Sequence, residues 1–285
     1  MSAWPDNGIH HGVPFAIYRS DDITQSDTLD TAQGKAVSKS LITDFIADPG
    51  MWKARKQKEK TRSMSFGSLV DTLLLEPDKF ESRYVVSPYA DFRKKEAREW
   101  LAEMESAGVE IVTEDTHAEA HDCCDAVRDH YIAAALLYGA QTQVAFRHQT
   151  KFGIASKGLI DIVPAAVDTL VDLKTCAPSV LENKRALQRH ILDYSYHIQA
   201  GCYLDGWNIA SREERTRFKF IFVTNKPPFT VAVIELPFAA ILLGSQQYQS
   251  GIARFAECLE TDTWPSQWDG IVELDLPDYA YTETP

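Results

Sequence analysis

No stretch of this sequence is apolar for long enough to span a bilayer. The opening residues, MSAWPDNGIHHG, lack the basic region, apolar core and small-residue cleavage site of a secretory leader, so the expected location is the cytoplasm, away from any membrane. Cysteine is scarce and irregular: five residues without a CxxC half-site exclude a disulfide framework and a structural zinc cluster. A glycine-rich phosphate loop and a GxSxG elbow are both missing, which removes ATP-driven motors and serine hydrolases. Positive charge is also short. With 29 Lys and Arg against 41 Asp and Glu the net charge is −12, and such a surface repels polyanions in general, although local clusters can still attract them.

What is present is an ordinary globular composition, 45% hydrophobic and 25% charged, over a length that buries a sizeable core. Residues 38–48 show helical apolar spacing behind Ser38 and Ser40 and stop at Pro49-Gly50, and SFGSLVDTLLLEP repeats the pattern up to Pro77. Residues 96–109 and 113–138 also read as helices. The character then changes: TQVAFRHQT, ASKGLIDIV and TLVDLKT are short, branched and turn-separated, as in a strand meander. Helical spacing returns in DYSYHIQAGCYLDGW, a strand hairpin follows in FKFIFVTN and PPFTVAVIELP, and residues 238–260 close the chain as a helix. The order implies a mixed α+β fold, a central mixed sheet flanked by helices. No repeat or linker divides it, so a single domain is expected over 1–285, with an N-terminal arm at 1–37 and a C-terminal tail at 275–285.

The meander carries charges that a sheet does not need. Asp161 interrupts GLIDIV, and VDLKT holds Asp172 and Lys174 two residues apart, hence on one face. If 158–163 pairs antiparallel with 169–175, Asp161 comes near Asp172, and two carboxylates there repel one another unless a cation intervenes. Mg²⁺ prefers oxygen ligands, which Asp161, Asp172 and the backbone carbonyl of Leu173 supply; Lys174 then orients water or stabilises developing charge. This is a candidate site for phosphodiester hydrolysis. The same three residues also read as strand-end charges in ordinary surface pairs. Gln199 and Tyr203, four apart on the following helix, share a face that can be aimed at the strands.

The ordered set GLIDIV, VDLKT and YHIQAGCYLDGW resembles the PD-(D/E)XK nuclease core with the QxxxY extension of RecB-like nucleases. FGSLVDTLLLEPDKF, VSPYADFRKKEAREW, FIFVTNKPPFTVAVIEL and TDTWP resemble more narrowly the RecE-type phage recombination exonucleases, over residues 38–265. The resemblance implies a restriction-endonuclease-like fold and a Mg²⁺-dependent exonuclease, with Mn²⁺ able to substitute. It implies removal of the 5′-ended strand of linear double-stranded DNA, leaving a 3′ overhang for recombination. It also implies a homo-oligomeric ring, a single-strand annealing protein as partner, and a bacterial or phage-infected cell. Asp161 and Asp172 match the metal ligands, Lys174 the catalytic lysine, and Gln199 and Tyr203 the helix motif. Where the family commonly has histidine, this chain has Asp71, a further oxygen ligand for a hard cation. A first-strand glutamate of related nucleases is not evident; Gln141 and Gln143 stand in that neighbourhood.

Two basic clusters are candidates for DNA contact, Lys53, Arg55, Lys56, Lys58, Lys60 and Arg62 in one and Arg93, Lys94 and Lys95 in the other, with a solvated helix face as the alternative. HAEAH places His117 and His121 one turn apart near Cys123 but lacks a convincing third zinc ligand. The remaining alternatives are a nuclease-fold DNA-binding subunit with weakened catalysis and a metal-dependent endonuclease.

Overall fold

A computed structural model of the chain describes residues 6–55, 62–165, 168–276 and 281. The strands are β1 (Gly8–His10), β2 (Ala36–Ser38), β3 (Tyr84–Val86), β4 (Glu110–Val112), β5 (Gln141–Gln149), β6 (Ala155–Val163), β7 (Thr169–Cys176), β8 (Arg217–Thr224) and β9 (Val231–Glu235). The α-helices are α1 (Phe15–Ser20), α2 (Lys39–Ala47), α3 (Pro49–Ala54), α4 (Arg62–Leu75), α5 (Phe80–Arg83), α6 (Lys95–Ala107), α7 (Glu114–Asp129), α8 (Tyr131–Leu137), α9 (Lys184–Asp193), α10 (Tyr196–Ser211) and α11 (Phe238–Thr261). Among the described residues no helix is long and apolar enough to cross a membrane.

Local chemistry sets the boundaries. The Ser38 side chain accepts the Leu41 amide at the start of α2, and Asp48 accepts the Met51 amide to begin α3, with Pro49 in the first helical position. The region 113–138, expected as one helix, is two. His130 leaves helical geometry at φ −78° and ψ 112°, and its ring nitrogen caps α8 by accepting the Ala133 amide at 3.3 Å.

The main sheet has the order β1-β5-β6-β7-β8-β9, with β2 added to β6. The pairs from β1 to β7 along this path are antiparallel, β7 and β8 are parallel, and β9 returns antiparallel on β8. The segment 1–37, expected as an arm, supplies β1, α1 and most of β2 from residue 8 onward. It is fastened to β6 where the buried Lys157 ammonium donates to the Tyr18 carbonyl at 2.5 Å and pairs with Asp22 at 2.9 Å.

Both sheet faces are covered, which is why the central strands read as almost continuous apolar runs. On one face Leu69, Val70 and Leu73 of α4 and Cys124 and Val127 of α7 pack on Ile162, Val171, Leu173 and Ile221. On the other, Ala200, Leu204 and Trp207 of α10 pack on Val144, Ile160, Leu170, Phe218 and Phe220. A third cluster gathers Phe45, Trp52 and Phe255, with Trp264 stacked on Trp52 at 5.4 Å, and ties α2 and α3 to α11.

α10 is pressed against α11 through glycines. A Cβ on Gly244 would lie 1.9 Å from the His197 carbonyl oxygen, and one on Gly201 would lie 2.3 Å from the Ser245 amide nitrogen. These atoms are backbone and cannot swing aside, so Gly244→Ala is expected to force the helices apart. The expected cost is about 1–3 kcal/mol, the usual scale of overpacking, read as a lower midpoint in urea unfolding. An unchanged midpoint would show that the crossing yields freely.

Candidate active site

One edge of β6 is shared between two partners that do not meet. β2 pairs with it from Ala155 to Lys157, and β7 is in register at Ile162 opposite Val171. Among the described residues nothing is registered to that edge over 158–161, and the resulting slot opens beside Asp161.

Asp161 reaches the slot because the strands exchange faces beside it. Val144 and Ile160 belong to the core under α10, whereas Ile162 belongs to the core under α4, and the Thr142 hydroxyl donates to the Leu75 carbonyl at the end of α4. Between these pairs stand Gln143 and Asp161. Gln143 has φ +50°, a left-handed conformation that costs a non-glycine residue about 1–3 kcal/mol and clusters at functional sites. Its amide donates to Asp161 Oδ1 at 3.3 Å, while Asp161 Oδ2 accepts the Leu173 amide at 2.9 Å. A side-chain carboxylate thus takes the position of a ladder acceptor.

Asp172 is 2% exposed. Its Oδ1 accepts from the Gln199 amide, and its Oδ2 faces the Lys174 ammonium without a well-aligned hydrogen bond. Lys174 keeps 21% of its side chain exposed and lies 5.2 Å from the centre of the Tyr196 ring. Burial works against its charge, but Asp172 and Asp161 outweigh that and hold its pKa above the ordinary lysine value. Lys39 lies 5.8 Å from the same centre and donates to the Tyr194 carbonyl at 2.8 Å. Burial, and then the Lys174 charge, bring Lys39 down to about 8.

Asp71 comes from α4, which runs so close to β7 that a Cβ on Gly67 would stand 3.2 Å from the Thr175 hydroxyl. Burial raises Asp71 to about 7; Lys174 opposes the shift, and Asp172 and Glu76 add to it. Asp161 is raised well above the carboxylate range by burial, then by Asp172 and Asp71. Three carboxylates therefore compete for one close ammonium. Their oxygen donors suit a hard divalent cation. Among the described residues no three His, Cys, Asp or Glu side chains are already gathered around one point, and Lys174 and the Leu173 amide engage two of the carboxylates. A cation would have to draw Asp172 away from Lys174.

Asp161, Asp172, Lys174, Gln199 and, through its charge, Asp71 are thus brought together. Tyr203 lies one turn further along α10, its ring 5.8 Å from Phe146, with no hydrogen bond from its hydroxyl among the described residues. The expected DNA contacts are otherwise engaged: Lys53 sits over Trp264 at 4.6 Å, Arg55 pairs with Asp44 at 2.7 Å, Arg93 with Asp91 at 2.6 Å and Lys95 with Glu99 at 3.5 Å. Lys94 caps α6. Lys56, Lys58 and Lys60 lie outside the described residues, as does the side chain of Arg62. His117 and His121 place their Nε2 atoms 3.1 Å apart at the surface. Sequence reasoning missed Tyr196, although it stands one turn before Gln199. It also missed Lys39, for which no motif gives a signal.

Residues 42–273 match the family described as "PDDEXK-like domain of unknown function (DUF3799)". The chain belongs to this family and carries the PD-(D/E)XK nuclease fold, with the RecE-type likeness read from its sequence. A presumed exonuclease from Eubacterium rectale shares the fold at a TM-score of 0.59 and 16% identity, over 87% of this chain and 92% of that one. A phage-related exonuclease from Haemophilus somnus 129PT aligns at a TM-score of 0.39 and 13% identity, over 80% and 96%. No curated protein matches the sequence.

The raised Asp71 carboxyl sets a pH dependence. Folded metal-free protein holds this proton more tightly than the unfolded chain, so the contribution to stability is present below the ordinary carboxylate range and is lost as pH rises through about 7. Asp71→Asn, which mimics the protonated form, is expected to be more stable than the parent at pH 8 and to lose that advantage toward pH 5. Metal-free thermal melts at the two pH values check this, and an advantage independent of pH would contradict it.

Proposed function

We propose that this chain is a Mg²⁺-dependent exonuclease that degrades the 5′-ended strand of linear double-stranded DNA and leaves 3′ overhangs for recombination. The observation that carries the reading is the buried Asp172, shared between Gln199 and Lys174, beside Asp161 in a gap of the sheet. Polarity, a ring-shaped homo-oligomer and an annealing partner rest on the RecE-type motifs of the sequence.

Asp161, Asp172, Asp71 and the Leu173 carbonyl would hold the cation. A strand residue directs its amide and carbonyl to the same side, so the Leu173 carbonyl faces the slot as its amide does. When bound, the cation supplies Lewis acidity toward a phosphoryl oxygen and makes water a stronger nucleophile. Gln199 fixes the orientation of Asp172. Lys174, which Asp172 and Asp161 favour in its charged form, would direct an ammonium donor at the charge that develops on the phosphoryl oxygens. Tyr203 braces α10 over Gly158, whose Cβ would meet the Tyr203 ring at 3.0 Å.

Linear duplex labelled at either 5′ or 3′ ends, incubated with Mg²⁺ and then with chelator, tests the reading. Early release of the 5′ label, suppressed by chelator, with closed circular duplex left intact, is the expected result. Cutting of the circle would make the protein an endonuclease, and binding without release would make it a catalytically weakened DNA-binding subunit. Asp172→Asn is expected to lower turnover by about 10³-fold or more, and Lys174→Ala by about 10²–10³-fold with little change in DNA affinity. Equal losses of affinity and turnover in Lys174→Ala would make this residue a phosphate anchor instead.

A further inference from the structure

In a chain with 12 more acidic than basic side chains, most arginines on the surface are matched: Arg55, Arg83, Arg128 and Arg217 each meet a carboxylate. α9 is different. Asn183 starts the helix by accepting the Ala186 amide at 3.0 Å, and Leu187 and Ile191 turn inward onto the core beneath α10. Lys184, Arg185, Gln188, Arg189 and Leu192 then form one continuous exposed face. Among the described residues neither Lys184, Arg185 nor Arg189 has an ion pair or a hydrogen bond, although Glu182 and Asp193 flank the helix.

The position of this face gives it a direction. In the chain, α9 follows β7, which carries Asp172 and Lys174, and precedes α10, which carries Gln199. At its C-terminal end His190 packs against Tyr196 at 5.6 Å, and Tyr196 is the ring flanked by Lys174 and Lys39. Lys39 is itself fastened to the Tyr194 carbonyl and has no ion pair among the described residues. Unpaired cations therefore line the outer face of α9, about 15 Å long for ten residues, and the inner side of its C-terminal end touches the ring that lies beside Lys174 and Lys39.

We propose that the outer face of α9, continued by Lys39, is a track for the backbone phosphates of duplex DNA and delivers the strand to the carboxylates of the slot. The assignment rests on the nuclease reading above. It makes α9 a main electrostatic contact, because in the clusters at 53–62 and 93–95 the described side chains other than Lys94 are already engaged within the protein or exposed in local pairs. Backbone contacts of this kind carry no sequence preference, as an end-processing enzyme requires.

The test is duplex affinity against salt concentration, measured in chelator so that the DNA stays whole. Changing Lys184, Arg185 and Arg189 together to Gln is expected to reduce the slope of log affinity against log salt by up to about 2.7, roughly 0.9 for each lost phosphate contact. Adding Lys39→Gln is expected to remove about 0.9 more. A charge-matched control with Lys151, Lys226 and Arg254 changed to Gln alters net charge equally on other elements and is expected to keep the parental slope. Equal slopes for the parent and the α9 variant, or equal reductions in the α9 variant and the control, would overturn the α9 assignment and leave the nuclease reading standing. A parent protein without affinity for duplex DNA would overturn both.

Discussion

The Asp161 carboxylate on the Leu173 amide is the contact around which the site is arranged. A backbone amide left unsatisfied between strands costs about 1–3 kcal/mol, so where the β6–β7 ladder opens something must accept it. A side chain meets that need here, and it arrives because both β5 and β6 exchange faces at Gln143 and Asp161. The left-handed backbone of Gln143 is therefore part of how the slot is built. β2 and β7 divide the edge of β6, with Lys39 next after the end of β2 and Asp172 next after the registered residue of β7.

This arrangement is costly on its own. Burial and mutual repulsion push Asp71 and Asp161 toward their neutral forms, while Lys174 is drawn more firmly into its charged form. Carboxylates with such opposed demands gain little as structural ion pairs, since a buried pair seldom repays its desolvation. A divalent cation would offset this cost, and shifted groups of this kind cluster at functional sites. Lys39 extends the same logic to a second ammonium on the same aromatic ring.

Much of this was legible in the sequence because it is written in local patterns. The alternation that places Asp172 and Lys174 on one face, the turn that returns β6 toward β7, and the four-residue spacing on α10 all follow from strand and helix periodicity. Other features depend on contacts between distant segments. β1 and β2 are three residues each and show no periodicity before they pair with β5 and β6. The split at His130 is a capping event inside an otherwise continuous helical pattern. The face exchange at Gln143 has no signature in residue type, because glutamine is an unusual choice for positive φ. The basic runs were easily seen, yet charge in sequence does not reveal whether a partner already neutralises it. Lys53 over Trp264 and Arg55 on Asp44 show that difference.

The central claim is that the slot between β6 and β7 is a cation site, and locating a cation in it is the most direct test. In a crystal of the protein soaked with Mn²⁺, the account predicts an anomalous peak in contact with Asp161, Asp172 and the Leu173 carbonyl, with the Lys174 ammonium moved off Asp172. A peak elsewhere, or none while Lys174 still grips Asp172, would contradict it.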